Sequence, residues 1–467
     1  MSPGPTSREP LPTTFSRWRI VRFRTRQTLA WWLQVKLQRP LAWTLVHLGL
    51  AIRGLGFRRK GLSLLLSGRR VTRNSRADNA IRDIIAQDPL LEEDLVAMFG
   101  ESASQSLSAC AGRTLVVKVP RLQDGEVVEK GALVIKFTET FAPMFTGLDT
   151  RRLARYFRII LEPSWVGYSL PEILVWTGLS PEKVIVMAPY QPDFDFLTAL
   201  DSNLVPVTLG PADWVNPTRF RKLEGVPKVY DAIYVANYNP KKRVDRYLRA
   251  IVRVCRRRPG FRAALVCAGV GKNDYGQAIG ETIAWAKENA AVDFFNPVSQ
   301  ARLNELLNQS KVNVLLSLRE GMNKGLAEGL FAGTPALLLA ESACGNHRHI
   351  NPETGRVVPD RGLEKALCWF ADHDAEFEPH VWARKQIAPQ VSMDRLSNML
   401  RDLEVSEGRA WTLDLAPKTN QPEMRYMDSS NDAMLELRGE MLEAFAKDAA
   451  DARIAELLKK LTKIADL

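Results

Sequence analysis

From residue 231 to 340, short apolar runs alternate regularly with longer stretches that are apolar on one side only. DAIYVAN, FRAALVCAG, VDFFN, VNVLLSL and PALLLA read as strands, and RVDRYLRAIVRVCRR, ETIAWAKENA and SQARLNELLNQ read as helices between them. Strands apolar throughout, separated by amphipathic helices, predict a parallel sheet covered on both faces. Upstream, TLVVKV, ALVIKF, FRIILE, KVIVMAP and VPVTL are further short β-rich runs, and DGEVVEKG between the first two reads as a hairpin-like connection. The pattern divides the chain into a helical linker over 77–107, a first α/β domain over 108–228 and a second over 229–410. A helical extension follows over 411–467, most strongly patterned from 433 onward; it packs back across the first domain or forms a dimer contact. No internal repeat of solenoid period is present.

Charge changes the reading of the N-terminal part. Residues 1–76 carry 16 Lys and Arg against one acid, Glu9, whereas the other 391 residues carry 48 basic and 52 acidic side chains. The net charge of +11 therefore belongs to an arm, and the slightly acidic body argues against general nucleic-acid binding. Residues 1–16, rich in Pro, Ser and Thr, read as disordered. Beyond them Trp18, Trp31, Trp32, Trp43 and Phe57 are interleaved with arginines, and Leu29, Leu33 and Leu37 share a helical face. Pro40 breaks the run into two helical pieces. Such a basic amphipathic arm suits an anionic membrane interface; a solvated basic tail, or a helix packed on the body, is the alternative. The most apolar stretch, 41–52, is too short to span a bilayer, which needs roughly 20 residues, and no cleavable signal is evident. Five cysteines without paired spacing point to a reducing compartment. The expected location is cytoplasmic, peripheral on the inner face of the cytoplasmic membrane.

The chemistry concentrates in SLREGMNKGLAEGLFAGTP, residues 317–335. Glu320 follows the strand VNVLLSL, and Glu328 lies about one turn into the next helix. A crevice at a strand's carboxyl end, beside a helix N-terminus, is where open α/β sheets bind phosphates. Backbone N–H groups of Gly321, Met322 and Asn323 are placed to meet an anion, with carboxylates on either side to accept from hydroxyls. Hydroxyl, diphosphate, hydroxyl is the pattern of a nucleotide-sugar. Two surface glutamates on a helix are more often merely solvated, so the motif needs its context.

That context is a resemblance. The run Glu320 to Glu328 followed by AGTP, the segment VANYNPKKRVD (235–245) and the segment HINPETGRVVPD (349–360) occur in one order on one parallel sheet. Over roughly residues 231–403 the chain resembles the nucleotide-binding half of GT-B glycosyltransferases, in particular the retaining family-4 group. The resemblance implies an α/β fold of GT-B type, with two Rossmann-like doubly wound domains and helical extensions at both ends. It implies that Glu328 binds the donor's ribose hydroxyls, Glu320 the hydroxyls of the transferred sugar, and Lys242 the diphosphate, with no metal and no cofactor beyond the nucleoside-diphosphate sugar as co-substrate. Asn296 and Val298 match the turn against the base, and Gly269 with Gly271 fits a tight strand-to-helix turn near the cleft. Asn237 stands where the family usually has arginine, with Lys241 and Arg243 as candidates to compensate. Asn323 stands where Gly is common, a position Asn fills because it tolerates left-handed backbone.

The first domain is less legible. Trp165 and Tyr168 in EPSWVGYSLPE suit a sugar face or plug a domain edge. Thr138, Glu139 and Thr140 follow a strand and are placed to face the cleft. The family often has a histidine in this half, yet residues 108–228 contain none. Asp193-Phe194-Asp195 has the form of a metal-binding DxD, and Cys344, His347 and His349 are ligand-like types; neither set is expected to hold a metal here. The sequence thus points to a retaining hexosyltransferase in cell-envelope or exopolysaccharide synthesis. It would act from a nucleotide-sugar donor on a glycan or lipid-linked acceptor, without nucleic acid. A catalytically weak nucleotide-sugar-binding protein, and a sugar phosphorylase or epimerase on the same architecture, are the alternatives.

Overall fold

The computed structural model describes residues 22–465 except 23, 24, 27, 30, 34, 271–273, 421 and 422. Trp18, Gly271 and the 1–16 segment lie outside the described residues. The chain begins with a helical hairpin, Gln38–Gly54 against Arg58–Val71. Its two helices meet through glycines: a side chain on Gly49 would start 2.7 Å from the Leu65 nitrogen and 2.8 Å from the Gly61 oxygen. Leu62, Leu65 and Leu66 are buried and join the same core as the first sheet. The expected arm is thus two things. Residues 58–71 are part of the body, and only the outer helix keeps a free face.

The first lobe is built on β1 (Thr114–Lys118), β4 (Gly131–Lys136), β5 (Phe157–Glu162), β6 (Val184–Met187) and β7 (Leu204–Val207), hydrogen-bonded in that order. The insertion between β1 and β4 is a small hairpin of β2 (Arg121–Gln123) and β3 (Glu126–Glu129), turned through Asp124 and Gly125 at positive φ. β1 runs antiparallel to β4, and the other neighbours are parallel. Every residue of β4 and β5 is buried, as the unbroken apolar runs require.

The second lobe has β8 (Ala232–Asn237), β9 (Arg262–Ala268), β10 (Ala291–Phe295), β11 (Asn313–Leu315), β12 (Ala336–Leu339) and β13 (Gly355–Val358). They are all parallel, in the order β10-β9-β8-β11-β12-β13. The order reverses between β8 and β11. That reversal opens a crevice at their carboxyl ends, the point at which doubly wound sheets take ligands. Among the described residues the first sheet runs sequentially from β4 to β7 without such a reversal, so the switch-point crevice belongs to the second lobe.

Packing redraws the expected boundaries at 228 and 410. Ala212, Val215 and Phe220 belong to the second lobe's core, so the chain crosses over near 210. Met393, Leu396 and Leu400 of the helix Pro389–Ser406 belong to the first lobe's core. So do Leu415, Met424, Met441, Phe445 and Leu458, from the segment that includes the hairpin β14 (Lys418–Asn420) and β15 (Met424–Tyr426). The helical C-terminus packs back across the first lobe, and buried Arg158 in β5 pairs with Glu404 at 2.6 Å. Apolar spacing shows that a helix buries one face but not which lobe receives it.

Candidate active site

The crevice between β8 and β11 is lined from both sides. β8 ends at Asn237, and a short turn, Pro240–Lys242, returns the chain to the helix Val244–Arg257. On the other side the loop after β11 carries Glu320, whose N–H donates to the Ala343 carbonyl at 3.0 Å. The Lys242 ammonium and the Glu320 carboxylate form an ion pair across the crevice. The two residues are only 8% and 9% exposed. Taking both charges out of water is costly, and their mutual contact offsets part of that cost. The structure therefore brings together two residues 78 positions apart that the sequence reading placed on one ligand.

Glu328 sits in the helix Lys324–Phe331, half-buried, with no hydrogen-bond partner for its carboxylate among the described residues. Burial raises its pKa, and the nearby Lys324 ammonium pulls the other way. A carboxylate with all its acceptor capacity unspent suits a pair of vicinal hydroxyls.

The turn between the glutamates differs from expectation at Asn323. Its φ of −77° is ordinary, not left-handed, and its side chain accepts from the Leu326 N–H as the helix cap. Its own N–H donates to the Asn346 Oδ1 at 2.6 Å, and Asn346 donates back to the Asn323 carbonyl at 3.0 Å. Asn323 is a capping and anchoring residue, and its amide is committed before any anion arrives. Met322 is buried beside Gly210 of the crossover. Gly321 is where the lobes touch: a side chain there would start 2.3 Å from the Ser164 carbonyl oxygen of the first lobe. No larger residue permits that approach.

Asn237 and its neighbours form consecutive side-chain-capped turns. Its side-chain Oδ1 accepts from the Asn239 N–H at 3.1 Å, and the Asn239 side chain accepts from the Lys241 N–H at 3.0 Å. Arg243 does not compensate for the missing arginine. It is held at positive φ and reaches away to Asp360 at 2.6 Å, in a network with Arg246 and Glu364. Burial would raise the Asp360 carboxyl, but the two arginines overcome this and hold it below the usual range. The last residue of HINPETGRVVPD therefore anchors the helix after β8. Lys241 instead places its ammonium 4.5 Å from the Trp165 ring centre, across the cleft. Gly269 follows β9 at φ +80°, and a side chain there would collide with the Tyr238 ring. Asn296 is exposed and Val298 half-buried, both at the carboxyl end of the edge strand β10.

The first lobe supplies the opposite wall. Trp165 is half-buried at the cleft, but Tyr168 is buried, with its hydroxyl donating to the Met187 carbonyl at 2.7 Å. Of the two aromatics, only Trp165 is available to a sugar. Asp193 of the DxD-like triplet accepts from the Gly167 and Tyr168 N–H groups, and burial pushes its carboxyl up to about 6. It shapes the aromatic loop, while Asp195 pairs with Arg73 at 2.6 Å. Glu139 accepts from the Ser164 hydroxyl at 3.2 Å, facing the contact with Gly321, whereas Thr140 is buried against its own strand. Cys344 and His349 are both buried: the thiol donates to Asn346, and His349 pairs with Asp213 at 2.9 Å. His347 contacts the Ser342 carbonyl at 2.8 Å. These three serve the turn that supports Asn323 and its junction with the crossover. A cavity of about 640 Å³ lined by Asn216, Arg219, Arg425 and Asp432 shares no residue with this constellation.

Three cations at the cleft were not singled out in the sequence. Lys324 donates to the Asn420 carbonyl at 3.0 Å and so ties the helix Lys324–Phe331 to β14. Arg319 adjoins Glu320 in sequence, which is the one signal that could have found it. Lys136, at the end of β4, is buried; burial lowers its ammonium to about 7, Glu162 opposes the shift, and Lys418, Lys324 and Arg113 add to it. Between pH 7 and its ordinary value of 10.5, the unfolded chain holds more protons at this site than the folded one. Stability then rises with pH through that window, and the burial cost is present in full below it. Lys136→Met is expected to stabilise the protein near neutral pH by on the order of 3 kcal/mol. That gain should shrink toward about pH 10. Urea unfolding at both pH values checks this, and a gain independent of pH would refute it.

Residues 230–372 match the family described as Glycosyl transferases group 1. No curated protein matches the chain. Among solved structures the chain is similar to sucrose-phosphate synthase from Thermosynechococcus elongatus, at 14% identity and a TM-score of 0.48, over 58% of this chain and 73% of that one. It is similar to Anabaena Alr3699/HepE in complex with UDP and glucose, at 14% identity and a TM-score of 0.45, over 57% of this chain and 77% of that one. It is similar also to the pneumococcal O-GlcNAc transferase GtfA in complex with UDP and GlcNAc, at 11% identity and a TM-score of 0.43; the likeness covers 54% of each chain, so this chain spans about half the length of that protein. The six-stranded lobe with its switch-point crevice is thus the part of this two-lobed α/β chain that matches the family of glycosyl transferases group 1.

Proposed function

We propose that the protein is a retaining hexosyltransferase that uses a nucleoside-diphosphate sugar and works at an anionic membrane surface on a glycan or lipid-linked acceptor. The observation that carries the donor assignment is the Lys242–Glu320 pair at the switch point, with the unspent carboxylate of Glu328 in the first turns of the helix that follows the same loop. Ribose hydroxyls go to Glu328, sugar hydroxyls to Glu320 and the diphosphate to Lys242. As the leaving diphosphate gains charge, an ammonium already in the crevice stabilises it without reorganisation. No carboxylate stands as a covalent nucleophile in this reading. Front-face substitution follows, with the acceptor hydroxyl attacking from the side the diphosphate leaves, and the anomeric configuration is kept. A thermal-shift panel of nucleotide-sugars, followed by NMR of the product's anomeric proton, tests the reading. Inversion at the anomeric carbon, or the absence of binding to every donor, would sink it.

The tether between Asn237 and Asn239 favours a second reading, a binding protein with weak turnover, because no arginine assists Lys242. Donor binding without transfer or hydrolysis would select it.

The membrane part rests on the outer helix of the hairpin. Leu37, Leu41, Leu48 and Leu55 lie on one face at spacings of four and seven residues and are 45–75% exposed; Trp43 is exposed on the same helix, and Leu29, Trp32 and Leu33 are exposed upstream. Lys36, Arg39, Arg59 and Lys60 are exposed around that face. Apolar side chains ringed by cations suit anionic headgroups. No helix of the described residues is long and apolar enough to cross a membrane. Deleting residues 1–76 would be a poor test, since it removes core leucines. Replacing Leu41, Trp43 and Leu48 by serine should instead cut binding to phosphatidylglycerol vesicles by at least roughly tenfold, with the melting temperature kept. Undiminished vesicle binding would count against the face.

A further inference from the structure

Four cations around the cleft have an acidic partner. Arg69 pairs with Asp78, Arg73 with Asp195, Lys242 with Glu320 and Arg243 with Asp360. Arg70, Lys241 and Arg319 have none among the described residues. They come from three parts of the fold: the last turn of the hairpin helix Arg58–Val71, the turn after β8, and the loop after β11. Arg319 donates to the carbonyl oxygens of Arg70 at 2.9 Å and Val166 at 3.4 Å, which fixes one edge of its guanidinium and adds no negative charge. At Gly167 the Arg70 Cγ and an Arg319 nitrogen lie 2.7 and 2.8 Å from where a side chain would begin, so the two arginines flank one glycine. Lys241 stands over Trp165, two residues before that glycine.

Three like charges held together cost energy unless an anion joins them. The cost falls on Lys241 and Arg319. Burial lowers both Lys241 and Arg319, and Arg70 lowers each further; Arg319 also lowers Lys241. The nearest acids are spoken for: Glu320 by Lys242, and Asp193 by two backbone amides. The donor groups Lys242, Glu320 and Glu328 all belong to the second lobe. This cluster instead leans on the 163–168 loop of the first lobe and on the hairpin.

We propose that Arg70, Lys241 and Arg319 form a binding site for a phosphate-type anion of the acceptor, built where the hairpin and both lobes meet at the cleft. The proposal deepens the glycosyltransferase reading and rests on it: the enzyme takes acceptors bearing a phosphate or diphosphate close to the accepting hydroxyl. Two guanidinium forks and one mobile ammonium match the several oxygens of such a group better than one carboxylate does. The hairpin is then part of acceptor recognition as well as of membrane contact.

The test uses the full chain and inorganic pyrophosphate as the probe. Calorimetric titration is performed with the donor site saturated by the nucleoside diphosphate of the best-binding donor, so that the probe reports a separate site. Pyrophosphate should bind the loaded wild type. Arg70→Ala and Arg319→Gln should each weaken that binding by at least roughly tenfold, while nucleotide affinity stays unchanged. Arg70 is exposed, so its variant keeps the assay decisive if Arg319→Gln fails to fold. Failure of the loaded protein to bind pyrophosphate, or equal binding by both folded variants, overturns the site. Parallel loss of nucleotide affinity also overturns it, by assigning these cations to the donor. If no nucleotide or nucleotide-sugar binds at all, it is the glycosyltransferase reading that fails, and titration of the unloaded chain with the same variants still decides whether the cluster holds an anion.

Discussion

Lys242→Ala is expected to lower kcat by roughly 10²–10³-fold while raising the donor KM only a few-fold, because its ammonium acts mainly on charge that appears as the diphosphate leaves. The expectation is sharpened by the local geometry. Asn237 adds no charge, and Arg243 is held by Asp360, so Lys242 is the only cation among the described residues seen to contact Glu320. The variant should also melt at a lower temperature, since it leaves the poorly exposed Glu320 carboxylate without its partner. Steady-state kinetics with donor varied at fixed acceptor separates the two effects. An unchanged kcat in a folded Lys242→Ala protein would remove this lysine from the chemistry.

Glu328→Ala should act on binding rather than turnover. Two hydrogen bonds from ribose hydroxyls to a carboxylate are worth about 1.5–3 kcal/mol each. Their loss predicts a fall in donor affinity of roughly 10²–10⁴-fold. The fold should tolerate the change, because Glu328 has no hydrogen-bond partner among the described residues to leave stranded. Calorimetry with the matching nucleoside diphosphate reads the effect directly. Glu328→Gln should recover part of the loss, since an amide oxygen still accepts one hydroxyl. Equal affinity of wild type and Glu328→Ala would assign the ribose elsewhere.

Much of the second lobe was legible because each strand and helix there carries its own signal. VNVLLSL is apolar at all positions but Asn313 and Ser317, and RVDRYLRAIVRVCRR carries its apolar residues at helical spacing, so parallel architecture followed from local pattern alone. Asn323 shows where local reading stopped. Its residue type suggested unusual backbone, whereas the structure uses its side chain to cap a helix and its amide to hold Asn346, 23 residues later. Tyr168 and Trp165 looked alike in one loop. Only packing against Met187 and approach of Lys241 separated the buried ring from the one at the cleft.

The sequence by itself determined the alternation of strands and helices, the basic N-terminal segment, and the positions of Glu320, Glu328 and Lys242 relative to strand ends. Each of these is a property of residues close together in the chain. Tertiary structure decided that the helix after Pro389 serves the first lobe, and that Leu62, Leu65 and Leu66, within the basic segment, are core. It also decided that Arg70 stands beside Arg319, 249 residues away. Such pairings are set by which surfaces exclude water together and which charges then find no partner, and that balance exists only once the whole chain is packed.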